Sequence, residues 1–205
     1  MKKKAFLFLS TLILLFGSNA IFGQQVYDDF DGKNFQFFGP VNGVIDTRAK
    51  NPKPNAVNKS NECAKYTRPK GVPYASVKMN TKHKLLDVEK YATHLGTPPK
   101  VKVKVYTKAP VGTKVEVQLG RKGETYPTGV HSVYQGATTK QNEWEEITLN
   151  FAEVPKDSQL APTEVDQIIL MFAPNTSNTE AFYFDDIEGP SLSTIPALEE
   201  KGVKK

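Results

Sequence analysis

A single cysteine stands among the 205 residues, so no disulfide can form within the chain and the fold must hold without one. Cys63 reads as a small buried hydrophobe, since no neighbouring base marks it as a nucleophile. The three histidines, His83, His94 and His131, lack the spacing of metal ligands. There is no G-x-S-x-G elbow and no glycine-rich phosphate loop, which removes the common hydrolase and nucleotide-binding signatures. No basic patch is dense enough to favour nucleic acid. No fixed period repeats, which excludes a solenoid or propeller.

Long apolar runs are also scarce. The one at the start, Ala5 to Phe16, follows Lys2-Lys3-Lys4 and ends in small residues. It is too short to span a bilayer, which needs ~20 residues, and it reads as a secretory signal peptide over residues 1–23. Cleavage follows Gly23, with Ala20 as the alternative. Cys63 lies far from that point, so a lipid-anchored cysteine is excluded. The expected location is secreted, periplasmic or cell-surface, with no membrane span. The formal charge of +5 shrinks accordingly: three of the 27 basic residues and none of the 22 acids lie in the leader, leaving 24 against 22, or +2.

What remains is about 180 residues, the size of one ordinary domain. Its clearest signal is alternation. In Lys100–Thr107, Val101, Val103 and Val105 alternate with lysines; in Thr113–Gly120, Val115, Val117 and Leu119 alternate with Lys114, Glu116 and Gln118. The short Pro/Gly loop between them predicts an antiparallel hairpin, with Lys102 and Lys104 facing Glu116. EEITLNF alternates too, and Gln167–Ala173 (QIILMFA) is apolar throughout, as in a central strand covered on both faces. Only HKLLDVEKYATHLG allows a helical turn or two. About ten short strands between turn signals predict an all-β fold, an antiparallel β-sandwich. It spans 24–190, and a mobile tail follows over 191–205.

Two acidic pairs frame this domain: VYDDFDG at 26–32 and FYFDDIEG at 182–189. Aspartates wedged among aromatics need a hydrogen-bond donor or a cation. Strand-end residues satisfied by backbone N–H groups are the plain reading. The alternative is a structural Ca²⁺ that staples the two ends, with Asp31, Asp185 and Asp186 as candidate ligands and carbonyls of Asn55–Cys63 completing the shell. Alternation puts Tyr183, Asp185 and Ile187 on one face, so that Asp185 points inward or toward a covering loop.

The order of VYDDFDG, the loop through NECAKYTR, NEWEEITLNF, QIILMFA and FYFDDIEGP resembles carbohydrate-binding-module-like jelly rolls of the galactose-binding-like type. More narrowly, it is similar to modules in secreted proteins of Bacteroidetes-type bacteria. Asp29-Phe30-Asp31-Gly32, Trp144–Phe151 and Phe182–Ile187 carry the resemblance. It implies a structural calcium joining Asp31 and Asp185, and binding of β-glucans, xylans or related glycans. Asp31 stands where Glu is usual, and no catalytic domain accompanies the module.

A glycan site needs exposed aromatic faces flanked by polar side chains. Glu116, Gln118, Tyr126 and Tyr134 are the candidates, whereas Trp144 reads as core and Phe35, Phe37 and Phe38 as packing. The partner expected is a polysaccharide or cell-surface glycan, bound without catalysis; the alternative is another secreted protein, held by an adhesin or adaptor. A third reading, a glycan-cleaving enzyme, rests on Glu164-Val165-Asp166. Laminarinase-like enzymes continue E-x-D with a second Glu, where this chain has Ile169, and a retaining pair needs carboxyls ~5 Å apart. Glu164 and Asp166 read instead as the polar entrance to a strand.

Overall fold

The computed structural model describes residues 23–32 and 34–193. The expected leader, apart from Gly23, and the tail beyond Ser193 lie outside the described residues. Along the chain come β1 (Gln24–Val26), β2 (Gln36–Val41), β3 (Val44–Lys50), β4 (Glu62–Thr67) and β5 (Val77–Thr81). One turn of helix, α1 (Val88–Tyr91), precedes β6 (Val101–Thr107), β7 (Lys114–Gly120), β8 (Val130–Ala137) and β9 (Glu145–Glu153). A 3₁₀ turn, Pro162–Glu164, leads into β10 (Gln167–Phe172), and β11 (Ala181–Pro190) closes the fold.

The strands form an antiparallel β-sandwich. One layer runs β2-β5-β10-β7-β8 and the other β9-β6-β11-β4-β3, joined where β8 pairs β9. The Lys100–Gly120 hairpin does not form. Strand β6 pairs β9 and β11, whereas β7 pairs β10 and β8 in the opposite layer. The Pro/Gly segment between them is a crossover, with Ala109 buried and Gly112 donating its N–H to Thr138 O. Lys102 therefore meets Glu146, and Lys104 meets Asp186, instead of Glu116. Alternation reported the faces of β6 and β7 faithfully but could not report their partners.

The two ends of the domain do meet. Strand β1 pairs the far half of β11, Gln24 opposite Pro190, and the Tyr27 hydroxyl donates to Pro190 O at 2.7 Å. Gly189 permits this approach, because a Cβ there would stand 2.7 Å from that hydroxyl oxygen. The described tail also belongs to the packed domain: Leu192 is buried and bridges Leu85.

Inward residues of both layers make one core. Phe172 stacks on Phe182 at 4.7 Å and lies 5.6 Å from Phe184, whose ring takes Phe30 edge-on at 5.5 Å. Each such side chain contributes roughly 1.5–3 kcal/mol by burial. A smaller cluster forms on the outer face of the β4-β11-β6 layer, where Cys63, Tyr106 and Trp144 pack with Val57 and Tyr183. Trp144 is core as expected, and Cys63 is fully buried, its thiol pushed up to about 12 chiefly by desolvation.

His131 sits in β8 beside a register shift, buried, with Nδ1 lacking a hydrogen-bond partner among the described residues. Desolvation holds its pKa below 6.5, partly offset by the charge of Glu89. An imidazole depressed in the folded state leaves stability intact above its unfolded pKa and erodes it as pH falls below, because only the unfolded chain accepts the proton. The expected result is that the wild type loses stability relative to His131→Phe below a pH of about 6.5, by up to ~1.4 kcal/mol per pH unit. Urea denaturation of both proteins between pH 7.5 and 5 checks this.

Candidate functional site

The outer face of the β5-β10-β7-β8 layer is a groove enclosing about 610 Å³. Its floor follows from register. Lys78, Ile169, Gln118, Val133 and Glu153 lie in one row across five strands, and Met171, Glu116 and Gln135 in the next. The intervening positions, Met79, Ile168, Leu119 and Tyr134, face the core. The continuous apolar run of β10 thereby serves two surfaces: Ile168, Leu170 and Phe172 pack inward, while Ile169 and Met171 pave the groove.

Glu116 is 8% exposed, and both of its oxygens are engaged by amides. Gln118 Nε2 donates to Oε1 at 2.9 Å, and Gln135 Nε2 donates to Oε2 at 2.8 Å. Lys114 Nζ lies 3.4 Å from Gln135 Oε1. The lining charges, Lys78 and Lys114 against Glu116 and Glu153, balance.

Two tyrosines rise beside this floor. Tyr126 comes from the β7–β8 loop and is 56% exposed; Tyr74 comes from the segment before β5 and is 62% exposed. Pro174 and Asn175, from the β10–β11 loop, complete the rim. Of the predicted ligand-binding residues, Glu116, Gln118 and Tyr126 are together in the groove. Tyr134 is not. It is 1% exposed and points into the core, where its hydroxyl accepts from Ser132 Oγ at 3.1 Å. Alternation within β8 accounts for the difference, since its neighbours Val133 and Gln135 take the outer face.

The aspartates separate as well. Asp186 adopts φ +43° and makes a bulge in β11, so Phe182, Phe184 and Ile187 all reach the core while Asp185 turns outward with Tyr183. The expected shared face of Asp185 and Ile187 is thus broken by one residue. Asp185 is fully buried beneath the Asn51–Asn61 loop: Asn58 Nδ2 donates to its Oδ2 at 2.8 Å and the Asp186 N–H to its Oδ1 at 2.9 Å. Desolvation pushes its pKa up to about 7, with the Asn58 bond opposing and the Asp186 charge adding. Asp186 pairs with Lys104 instead, and Asp31 is exposed with its N–H on Asp29 Oδ1. Among the described residues no three His, Cys, Asp or Glu side chains gather to hold a metal ion. A three-aspartate centre does not fit this arrangement; among the described residues Asp185 is buried without an ion-pair partner, since Lys104, opposite it in the sheet, is taken by Asp186.

Similar folds occur among carbohydrate-binding modules. No protein-family model matches the chain, and no curated protein does. A family 11 carbohydrate-binding module of the cellulosomal cellulase Lic26A-Cel5E of Clostridium thermocellum aligns at TM-score 0.49 and 15% identity, covering 83% of this chain and 96% of that one. A family 29 module from Piromyces equi aligns at TM-score 0.44 and 13% identity, over 81% and 88% of the two chains. What the groove binds has to follow from its own side chains.

Several groove residues escaped sequence reasoning. Tyr74 sits in GVPYASV with nothing local to distinguish it from a strand-edge aromatic. Ile169 and Met171 did carry a signal, since an apolar residue at every position of a strand requires cover on the second face too. Glu164 and Asp166 are bridged to Arg121 and Lys84, at 2.6 and 2.5 Å, and so form the polar entrance expected of them.

Proposed function

We propose that the chain is a noncatalytic glycan-binding module whose ligand lies in the groove of the β5-β10-β7-β8 layer. The observation that carries this reading is the pair of exposed rings, Tyr74 and Tyr126, beside a floor of ordered amides. The C–H face of a pyranose is apolar and packs on an aromatic ring, while its hydroxyls need fixed polar partners. Glu116 holds the NH₂ ends of Gln118 and Gln135, which leaves the Gln118 amide oxygen as an acceptor for a sugar hydroxyl. Balanced charge suits a neutral sugar better than a uronic acid polymer. Affinity electrophoresis through gels containing β-1,3-1,4-glucan or xylan tests this: retardation of the wild type is expected, and free migration in both gels would refute binding to these polymers.

A structural cation at the other layer is part of the same proposal, in a narrower form than three aspartates. Asp185 would hold it with neutral carbonyl oxygens of the covering loop, the cation displacing the Asn58 Nδ2 that now bonds Oδ2. Supporting it is the burial of Asp185 without a cationic partner. Calcium commonly completes its shell with such carbonyl and amide oxygens. Millimolar Ca²⁺ after EDTA is expected to raise Tm by several degrees through its binding to the folded state, and Asp185→Asn to abolish the rise. An unchanged Tm would leave hydrogen bonds alone, from the Asn58 amide, the Asp186 N–H and Ser60, as the support of Asp185.

A further inference from the structure

Arg68, immediately after β4, is 3% exposed, and among the described residues no carboxylate lies within 4 Å of its guanidinium. It is held by neutral oxygens instead. Nη1 donates to Asn178 O at 2.5 Å and to Thr176 Oγ1 at 3.2 Å. Nη2 donates to Val72 O at 3.2 Å, Pro73 O at 3.0 Å and Thr176 O at 3.3 Å. These acceptors belong to two loops, one before β5 and one between β10 and β11. Both supply the groove: Tyr74 follows Pro73 directly, and Asn175 directly precedes Thr176. The Asn175 N–H also donates to Pro73 O at 2.9 Å, tying one loop to the other.

We propose that Arg68 is the positioning residue of the groove, gathering the carbonyls of both loops so that Tyr74 and Asn175 stand at its rim. A buried cation without an anion is costly unless every donor finds an oxygen. The Nε–H is buried without a partner among the described residues, so the four Nη donors carry the whole compensation: they are satisfied only when both loops are in place, and the loops lose their common anchor when Arg68 is removed. A lysine cannot substitute, because its donors radiate from one nitrogen whereas the guanidinium spreads them over a planar fork. This inference rests on the glycan-binding reading for its consequence, though not for its geometry.

The test uses Arg68→Lys and Arg68→Met with two readouts. Amide hydrogen exchange is expected to accelerate at least tenfold at Ala75 and Asn175, whose N–H groups bond Val72 O and Pro73 O, with Ile168 and Leu170 in β10 unchanged. In β-1,3-1,4-glucan gels, Arg68→Lys should weaken retention about tenfold, and Tyr74→Ala should add less than twofold in that background. Wild-type protection of both loops in Arg68→Lys, or losses from the two substitutions that multiply, would overturn the proposal. If Arg68→Met does not fold, Arg68→Lys carries both readouts alone. If the wild type binds neither polymer, the glycan reading fails for them, and hydrogen exchange still decides the role of Arg68.

Discussion

Tyr74→Ala combined with Tyr126→Ala is expected to weaken glycan retention by about a hundredfold while leaving Tm within a few degrees of the wild type. Both rings are more than half exposed, so truncating them removes little core contact. Each loss deletes one aromatic face from the ligand, worth roughly 1.4 kcal/mol, or tenfold in affinity. The two rings stand on different loops and should act nearly independently, so the single variants should each show about tenfold. Tyr134→Phe is the control. It removes a hydroxyl bonded only within the core, costs about 1 kcal/mol of stability, and should leave retention unchanged. Isothermal titration with the polymer that retards the wild type, paired with thermal unfolding, separates these outcomes. Retained affinity in the double variant would move the ligand off this face.

Trp144→Ala should be among the most destabilising substitutions, by about 3–5 kcal/mol. The indole is fully buried between Cys63 and Tyr106, and its Nε1–H donates to Asn51 Oδ1 at 2.8 Å. Asn51 in turn donates Nδ2 to Ser60 O at 2.8 Å, and the loop between them winds through side-chain-to-backbone bonds at Asn55 and Asn58. Removing the indole thus leaves a cavity and unties one end of the cover over Asp185. At ~2–4 °C per kcal/mol for a domain of this size, Tm should fall by roughly 10 °C. Trp144→Phe retains most of the volume but loses the hydrogen bond, and should recover more than half of the loss. Denaturant unfolding of the three proteins checks this; a loss under 1 kcal/mol in Trp144→Ala would show that the outer cluster adds little to the fold.

The groove was half legible in the sequence. Glu116 and Gln118 stood out because strand alternation assigned them a wet face, and Tyr126 because it lies in a polar loop beside it. Tyr134, a candidate beside Tyr126, belongs to β8 and faces inward; the strand begins earlier than its composition suggests, at Val130. Tyr74, Pro174 and Asn175 carry no local mark of the groove. They reach it because Arg68 draws together two loops more than 100 residues apart.

The amino-acid order alone determined that this is an all-β chain, where its apolar faces lie, and that Trp144 and Cys63 are interior. Those properties depend on residue spacing of two and on side-chain polarity, both local. Strand partners, and with them the loss of the Lys100–Gly120 hairpin, were decided only in three dimensions. Two alternating strands joined by a short loop can pair with each other or part into opposite layers with the same inward faces, so the competition from β8, β9, β10 and β11 settles it. The bulge at Asp186 is likewise tertiary: it lets Phe184 and Ile187 both enter the core, and turning Asp185 out beneath Asn58 is its consequence.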